Sequence, residues 1–170
     1  MRIETISRFF LVAATALSLA LPVTASAFVR KGDPAPPLKV VSMSGQKITL
    51  ANYKGRVLVL DFFATWCAPC RAAIPHFIGL YRKYNKQGLE VLGMSADEDG
   101  DKDVREFMSE QKIIYPVALA GDEMLTEYGI RSLPTVYVIN KKGAIAEKYM
   151  GYNEDMAASM ETLVKKLLAE

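Results

Sequence analysis

The chain has 170 residues, with 21 Lys+Arg against 19 Asp+Glu and two cysteines. That charge balance excludes a strongly basic nucleic-acid binder, and two cysteines are too few for a disulfide-rich miniprotein. A hydrophobic fraction of 51% excludes a disordered chain, and a single long apolar stretch at the front excludes a polytopic membrane protein.

That front stretch reads as an address. Arg2 and Arg8 make a basic start, and an apolar run from Phe9 to Leu21 ends at Pro22. Ala25-Ser26-Ala27 then supplies a small-x-small cleavage site, the order of a secretory signal peptide. The competing reading is an uncleaved anchor, because residues 9–29 carry no charge and could just span a bilayer. Either way, residues 1–27 are a leader and residues 28–170 form one domain outside the cytoplasm. Such a compartment permits disulfides. Membrane contact is expected only through the leader, if it is retained.

Residues 30–37 hold three prolines and read as an extended lead-in. Leu38–Met43 and Gln46–Leu50 flank Ser44-Gly45, which predicts a hairpin. The apolar run from Arg56 to Ala64 predicts a strand buried on both faces. A helix is expected from about Ala68 to Gln87, kinked at Pro75. Leu89–Ala96 predicts a second buried strand, and Val104, Phe107 and Met108 mark a helical face. A short strand over Tyr115–Leu119 and a short helix over Glu123–Tyr128 follow. Pro134–Asn140 and Ala144–Met150 bracket a turn at Lys141-Lys142-Gly143. Asn153 is a candidate cap for a last helix whose apolar face is Met156, Met160, Leu163, Val164, Leu167 and Leu168. Strands alternating with helices predict a three-layer α/β sandwich around a mixed sheet.

The cysteines sit in Cys67-Ala68-Pro69-Cys70, between the first buried strand and the helix after it. Positions i and i+3 on a first helical turn bring two sulfurs within bonding reach. The helix N-terminus stabilises a thiolate at Cys67. Pro69 loses nothing there, since its missing N–H had no partner. A bridge closing so short a loop stabilises by at most about 2 kcal/mol, against roughly 3 for a fifteen-residue loop, so a structural staple is disfavoured. A zinc site lacks donors, since a closed one needs four. Two thiolates could still hold Cu(I). His76 reads as a helix-surface residue. The acidic stretch from Asp97 to Asp103 fits no frame of a calcium loop and reads as a solvated loop capping the next helix.

The segment from Val59 to Cys70, VLDFFATWCAPC, resembles the active-site strand and motif of the thioredoxin superfamily. Gly129-Ile130-Arg131-Ser132-Leu133-Pro134-Thr135 resembles its second hallmark, which carries a cis proline facing the cysteines. The entry from Gly32 through Gly55 is similar to the extracytoplasmic TlpA/ResA-like branch, which shares it with redoxins and peroxiredoxins of the AhpC/TSA group. The resemblance covers residues 30–168. It implies a thioredoxin-like sandwich with an N-terminal β-hairpin extension and an αβ insertion at about residues 97–119.

By that resemblance, Cys67 attacks a target disulfide and Cys70 resolves the mixed disulfide. Pro134, in cis, sits against the Cys67 sulfur and exposes the backbone of Leu133 to a substrate strand. Trp66 packs beside the cysteines and shields them, and Ala68 and Pro69 complete the substrate-binding surface. Asp61 is a carboxylate inside an apolar strand. Burial would raise its pKa and let it exchange a proton with Cys70, or it is a structural, hydrogen-bonded or edge-exposed Asp. Reductive members of the branch place a Glu three residues after the second cysteine, where this chain has Ala73.

The expected activity is extracytoplasmic disulfide reduction, with no cofactor. The substrates are disulfide-bearing proteins, apocytochromes c and copper-site apoproteins among them. A membrane thiol donor of the DsbD or CcdA kind would recharge the pair. Two alternatives compete. A Cu(I)-binding or metallochaperone module would use the same thiolates. A redoxin-type peroxidase would need a Pro-x-x-x-Thr-x-x-Cys pattern, and its proline is missing before Cys67.

Overall fold

The computed structural model describes residues 29–98 and 100–170, so the leader expected over residues 1–27 lies outside it. The strands are β1 Lys39–Val41, β2 Lys47–Thr49, β3 Val57–Phe63, β4 Leu89–Ser95, β5 Val117–Leu119, β6 Thr135–Ile139 and β7 Ile145–Met150. The helices are α1 Ala68–Tyr84, α2 Asp101–Glu110, α3 Asp122–Glu127 and α4 Glu154–Ala169.

The central sheet runs β5-β4-β3-β6-β7. β3, β4 and β5 are parallel, and β6 and β7 are antiparallel to their neighbours. Every residue of β3 is buried, as expected of a central strand with helices over both faces. Its alternate side chains serve two cores. Val57, Val59 and Phe63 pack with Cys70, Ile74 and Phe77 of α1 and Met160 and Val164 of α4. Leu58, Leu60 and Phe62 pack with Met124 of α3, Tyr128, and Leu38 and Ile48 of the hairpin region. These are the three layers of the expected sandwich.

The hairpin and lead-in cover the sheet edges. Beyond β1, the N–H of Met43 donates to the Val117 carbonyl (2.7 Å), and Ser42 bridges Ala118 of β5. At the opposite edge the N–H of Gly32 donates to the Ile145 carbonyl, and Pro34 bridges Ala144. Both contacts occupy backbone groups that an open edge would leave unpaired.

The differences from the expected elements are local. α1 contains Pro75 as expected but ends at Tyr84; the next three residues tighten into a 3-10 turn closed by Gly88 at φ 107°. The strand expected from Tyr115 begins at Val117, because Pro116 has no N–H to donate to the ladder and contributes only its carbonyl, which accepts from Gly93. α2 starts after Gly100 with no side-chain cap; Asp101 and Asp103 lie in its first turn instead. Asn153 does cap α4, accepting from the N–H of Met156 at 2.8 Å.

Candidate active site

β3 ends at Phe63, and the chain turns once before α1 begins. The turn closes with the N–H of Cys67 donating to the Ala64 carbonyl (3.2 Å). Cys67 is the N-cap of α1, and its sulfur accepts from the N–H of Cys70 at 3.3 Å. No acidic residue lies in the first turn of α1 to oppose the positive end of its dipole. Cys67 and Cys70 are joined in a disulfide and are 5% and 1% exposed. Ala68 and Pro69 between them stand out into solvent.

The loop before the cysteines is held by a residue whose role the sequence did not disclose. Asp97, two residues past β4, accepts from the N–H of Thr65 (3.0 Å) and from its hydroxyl (2.7 Å). It also accepts from the Ser95 hydroxyl, which fixes it to the end of β4. Asp97 is therefore half-buried and anchored, not part of a solvated loop. A second brace comes from α2. The Arg71 guanidinium lies 5.2 Å from the centre of the Phe107 ring, and Phe107 stacks on Phe63 at 5.6 Å.

Leu133-Pro134 is a cis peptide bond. The turn before it is pinned where the Thr135 hydroxyl donates to the Ser132 carbonyl (2.7 Å), and the Pro134 carbonyl accepts from Gly151. Leu133 shares a groove of about 520 Å³ with Trp66, Cys67, Ala68, Pro69 and Ile130. Most residues expected at the site thus meet on one surface. Trp66 is 73% exposed and forms a wall of the groove beside Cys67 rather than part of the core.

Asp61 is 1% exposed, on the face of β3 that carries Val59 and Phe63 and looks toward the cysteine end of α1. Its Oδ1 has no hydrogen-bond partner among the described residues. Burial pushes its pKa up to about 8. The edge-exposed reading therefore does not describe this carboxyl. His76 is half-buried rather than a surface residue; burial lowers its pKa, against the opposing pull of Glu161 and Glu154. Ala73 is fully buried in the core beside Cys70. Among the described residues, no group of three or more His, Cys, Asp or Glu side chains is placed to hold a metal ion.

The sequence profile of the AhpC/TSA family matches residues 31–148. The chain belongs to the AhpC/TSA family. Within that family it is a TlpA/ResA-like member of the thioredoxin superfamily. It is 35% identical over 137 residues to the thiol-disulfide oxidoreductase ResA of Bacillus thuringiensis subsp. konkukian, covering 80% of this chain and 78% of that protein. It is 30% identical over 124 residues to the thioredoxin-like protein YneN of Bacillus subtilis, covering 72% and 73%. A putative thiol:disulfide interchange protein DsbE from Chlorobium tepidum superposes with a TM-score of 0.78 at 26% identity, covering 82% of this chain and 99% of that one. A putative protein disulfide isomerase from Bacteroides thetaiotaomicron gives 0.78 at 26% identity, covering 84% and 92%. This TlpA/ResA-like protein is a thiol-disulfide oxidoreductase acting on protein disulfides.

Proposed function

We propose that the protein works as a reductant of disulfides in extracytoplasmic proteins, with Cys67 as nucleophile and Cys70 as resolving thiol. The observation that carries this reading is the placement of the pair. Cys67 caps a helix whose first turn has no acid, opens on a largely apolar groove, and has a buried carboxyl behind it.

The Cys67 thiolate attacks one sulfur of the target disulfide and displaces the other as a thiolate, which takes up a proton. Asp61 in its ionised form, the minor one below a pH of about 8, then takes the Cys70 proton, and the Cys70 sulfur attacks Cys67 Sγ. The second target thiolate leaves and is protonated. Two electrons have passed to the target, and the Cys67–Cys70 disulfide remains. The groove wall of Trp66, Leu133, Ala68 and Pro69 holds the target strand, and Pro134 aligns the Leu133 backbone toward it.

Residues 1–27 act as a secretory leader or anchor and place residues 28–170 in the periplasm or an equivalent compartment. A membrane dithiol donor of the DsbD or CcdA kind restores the reduced pair. Apocytochromes c and copper-site apoproteins are the substrate classes the family resemblance supports. The Ala68-Pro69 pair adds no charge to over-stabilise the Cys67 thiolate, which favours a reducing potential over an oxidising one.

The test is turnover of a protein disulfide by the reduced protein. Wild type is expected to reduce insulin with a dithiol donor, and Cys67→Ser to be inactive. Tight stoichiometric Cu(I) binding without reductase activity would favour a metallochaperone. Rapid peroxide consumption would favour a peroxidase.

A further inference from the structure

Asp61 pairs in register with Gly93 on β4 and with Val136 on β6. A glycine beside a buried carboxyl leaves space, and Tyr115 occupies it. The Tyr115 ring edge lies 3.5 Å from where a Gly93 Cβ would stand, with Phe63 and Val117 atoms at 3.1 Å. Any side chain at position 93 would displace this packing.

Tyr115 is 3% exposed and belongs to the same core as Cys67, Cys70 and Phe63. Its hydroxyl is buried with no hydrogen-bond partner among the described residues, and so is Asp61 Oδ1. Buried polar atoms are seldom left unpaired. The two are beside one strand position and not in direct hydrogen-bonding distance of each other, and one buried water between them would satisfy both. Burial first, and the Asp61 charge second, hold the Tyr115 ionisation well above the ordinary tyrosine range. Its hydroxyl therefore keeps its proton and remains available as a donor.

We infer that Tyr115 is a positioning residue for the buried acid: its hydroxyl donates toward the Asp61 carboxylate and sets the pH at which Asp61 takes the Cys70 proton. The kinetic half of this inference rests on the proton-exchange reading of Asp61 given above. Gly93 from β4 and Val136 from β6 carry no charge; the titratable groups of this core are Cys67, Cys70 and Tyr84 from α1 and Tyr115 from the segment before β5, with Tyr81 of α1, Tyr149 of β7 and Tyr152 packed against it. The proton passes from the Cys70 sulfur to the Asp61 carboxylate, and Tyr115 keeps its own throughout.

The experiment is a carbon-13 NMR titration of the Asp61 carboxyl in the oxidised protein, where neither cysteine titrates. It is run on wild type and Tyr115→Phe, alongside pH profiles of disulfide reduction for both, for Asp61→Asn and for the double variant. Tyr115→Phe keeps the ring and removes only the donor. It is expected to raise the Asp61 midpoint by roughly one pH unit, the worth of one hydrogen bond to a charged group. The reduction profile should move the same way, and the effect should vanish in the Asp61→Asn background. An Asp61 midpoint unmoved by Tyr115→Phe overturns the inference, whatever Asp61→Asn does. A midpoint that moves while Asp61→Asn leaves the profile as in wild type overturns the proton-exchange reading, and with it the kinetic half alone.

Discussion

Asp97 holds Thr65 by two hydrogen bonds, one from the Thr65 backbone N–H and one from its hydroxyl, two residues before Cys67. The end of β4 thereby fixes the entry to the CxxC turn. Asp97→Ala removes both acceptors and leaves the Thr65 N–H without its partner. The expected loss of stability is about 1–3 kcal/mol, read from urea unfolding of the oxidised protein. The rate of disulfide reduction should fall as well, because the cap position of Cys67 depends on that turn.

Asp61 makes stability depend on pH. Its folded pKa, about 8, lies far above the ordinary carboxylate value of 3.8. Between those values the folded chain holds a proton that the unfolded chain has released. Unfolded protein thus binds fewer protons, and stability falls as pH rises from about 4 to about 8. Asp61→Asn removes this dependence. The variant should match wild type at pH 4 and exceed it by a few kcal/mol above pH 8, in denaturant titrations of the oxidised form. Equal stability of the two proteins at pH 9 would contradict the burial of an ionisable acid at this position.

Trp66 is 73% exposed, so its truncation removes little folded-state packing. Trp66→Ala is expected to change stability by no more than about 0.5 kcal/mol. The same change should raise KM for a protein disulfide severalfold while sparing reduction of a small-molecule disulfide, because a large aromatic wall contributes through contact with the bound chain. Steady-state kinetics on the two substrates separate these effects.

The redox potential is a fourth expectation. With a neutral Ala68-Pro69 pair, the reduced form gains no special stabilisation, and the potential should fall near thioredoxin's, about −270 mV. Equilibration with glutathione or dithiothreitol buffers measures it. A value above about −150 mV would make the protein an oxidant.

Much of this was legible in the sequence because it is local. The apolar run over residues 57–63, broken only by Asp61, reads as a doubly covered strand. Asn153 followed by two acids could be read as a helix start, and the Cys-Ala-Pro-Cys spacing fixed both sulfurs on one turn. Other features depend on chain segments that are distant in sequence. Asp97 sits 32 residues from Thr65 and looked like one acid among several. Tyr115 and Gly93 are ordinary residues until the parallel pairing of β3 with β4 places Gly93 beside Asp61. The exposure of Trp66 followed from a groove whose other wall comes from residues 130–133. His76 became half-buried for a similar reason, through Tyr152 at 6.3 Å, beyond the end of β7.

The most direct test of the central claim is a trap with Cys70→Ser. Reduced Cys70→Ser protein mixed with a protein disulfide should accumulate a mixed disulfide, mapped to Cys67 by mass spectrometry, while Cys67→Ser accumulates little. In the native compartment the trapped partners would name the substrate. Failure of Cys70→Ser to form any mixed disulfide, or equal trapping through Cys70 in Cys67→Ser, would contradict the assignment of Cys67 as nucleophile and Cys70 as resolving thiol.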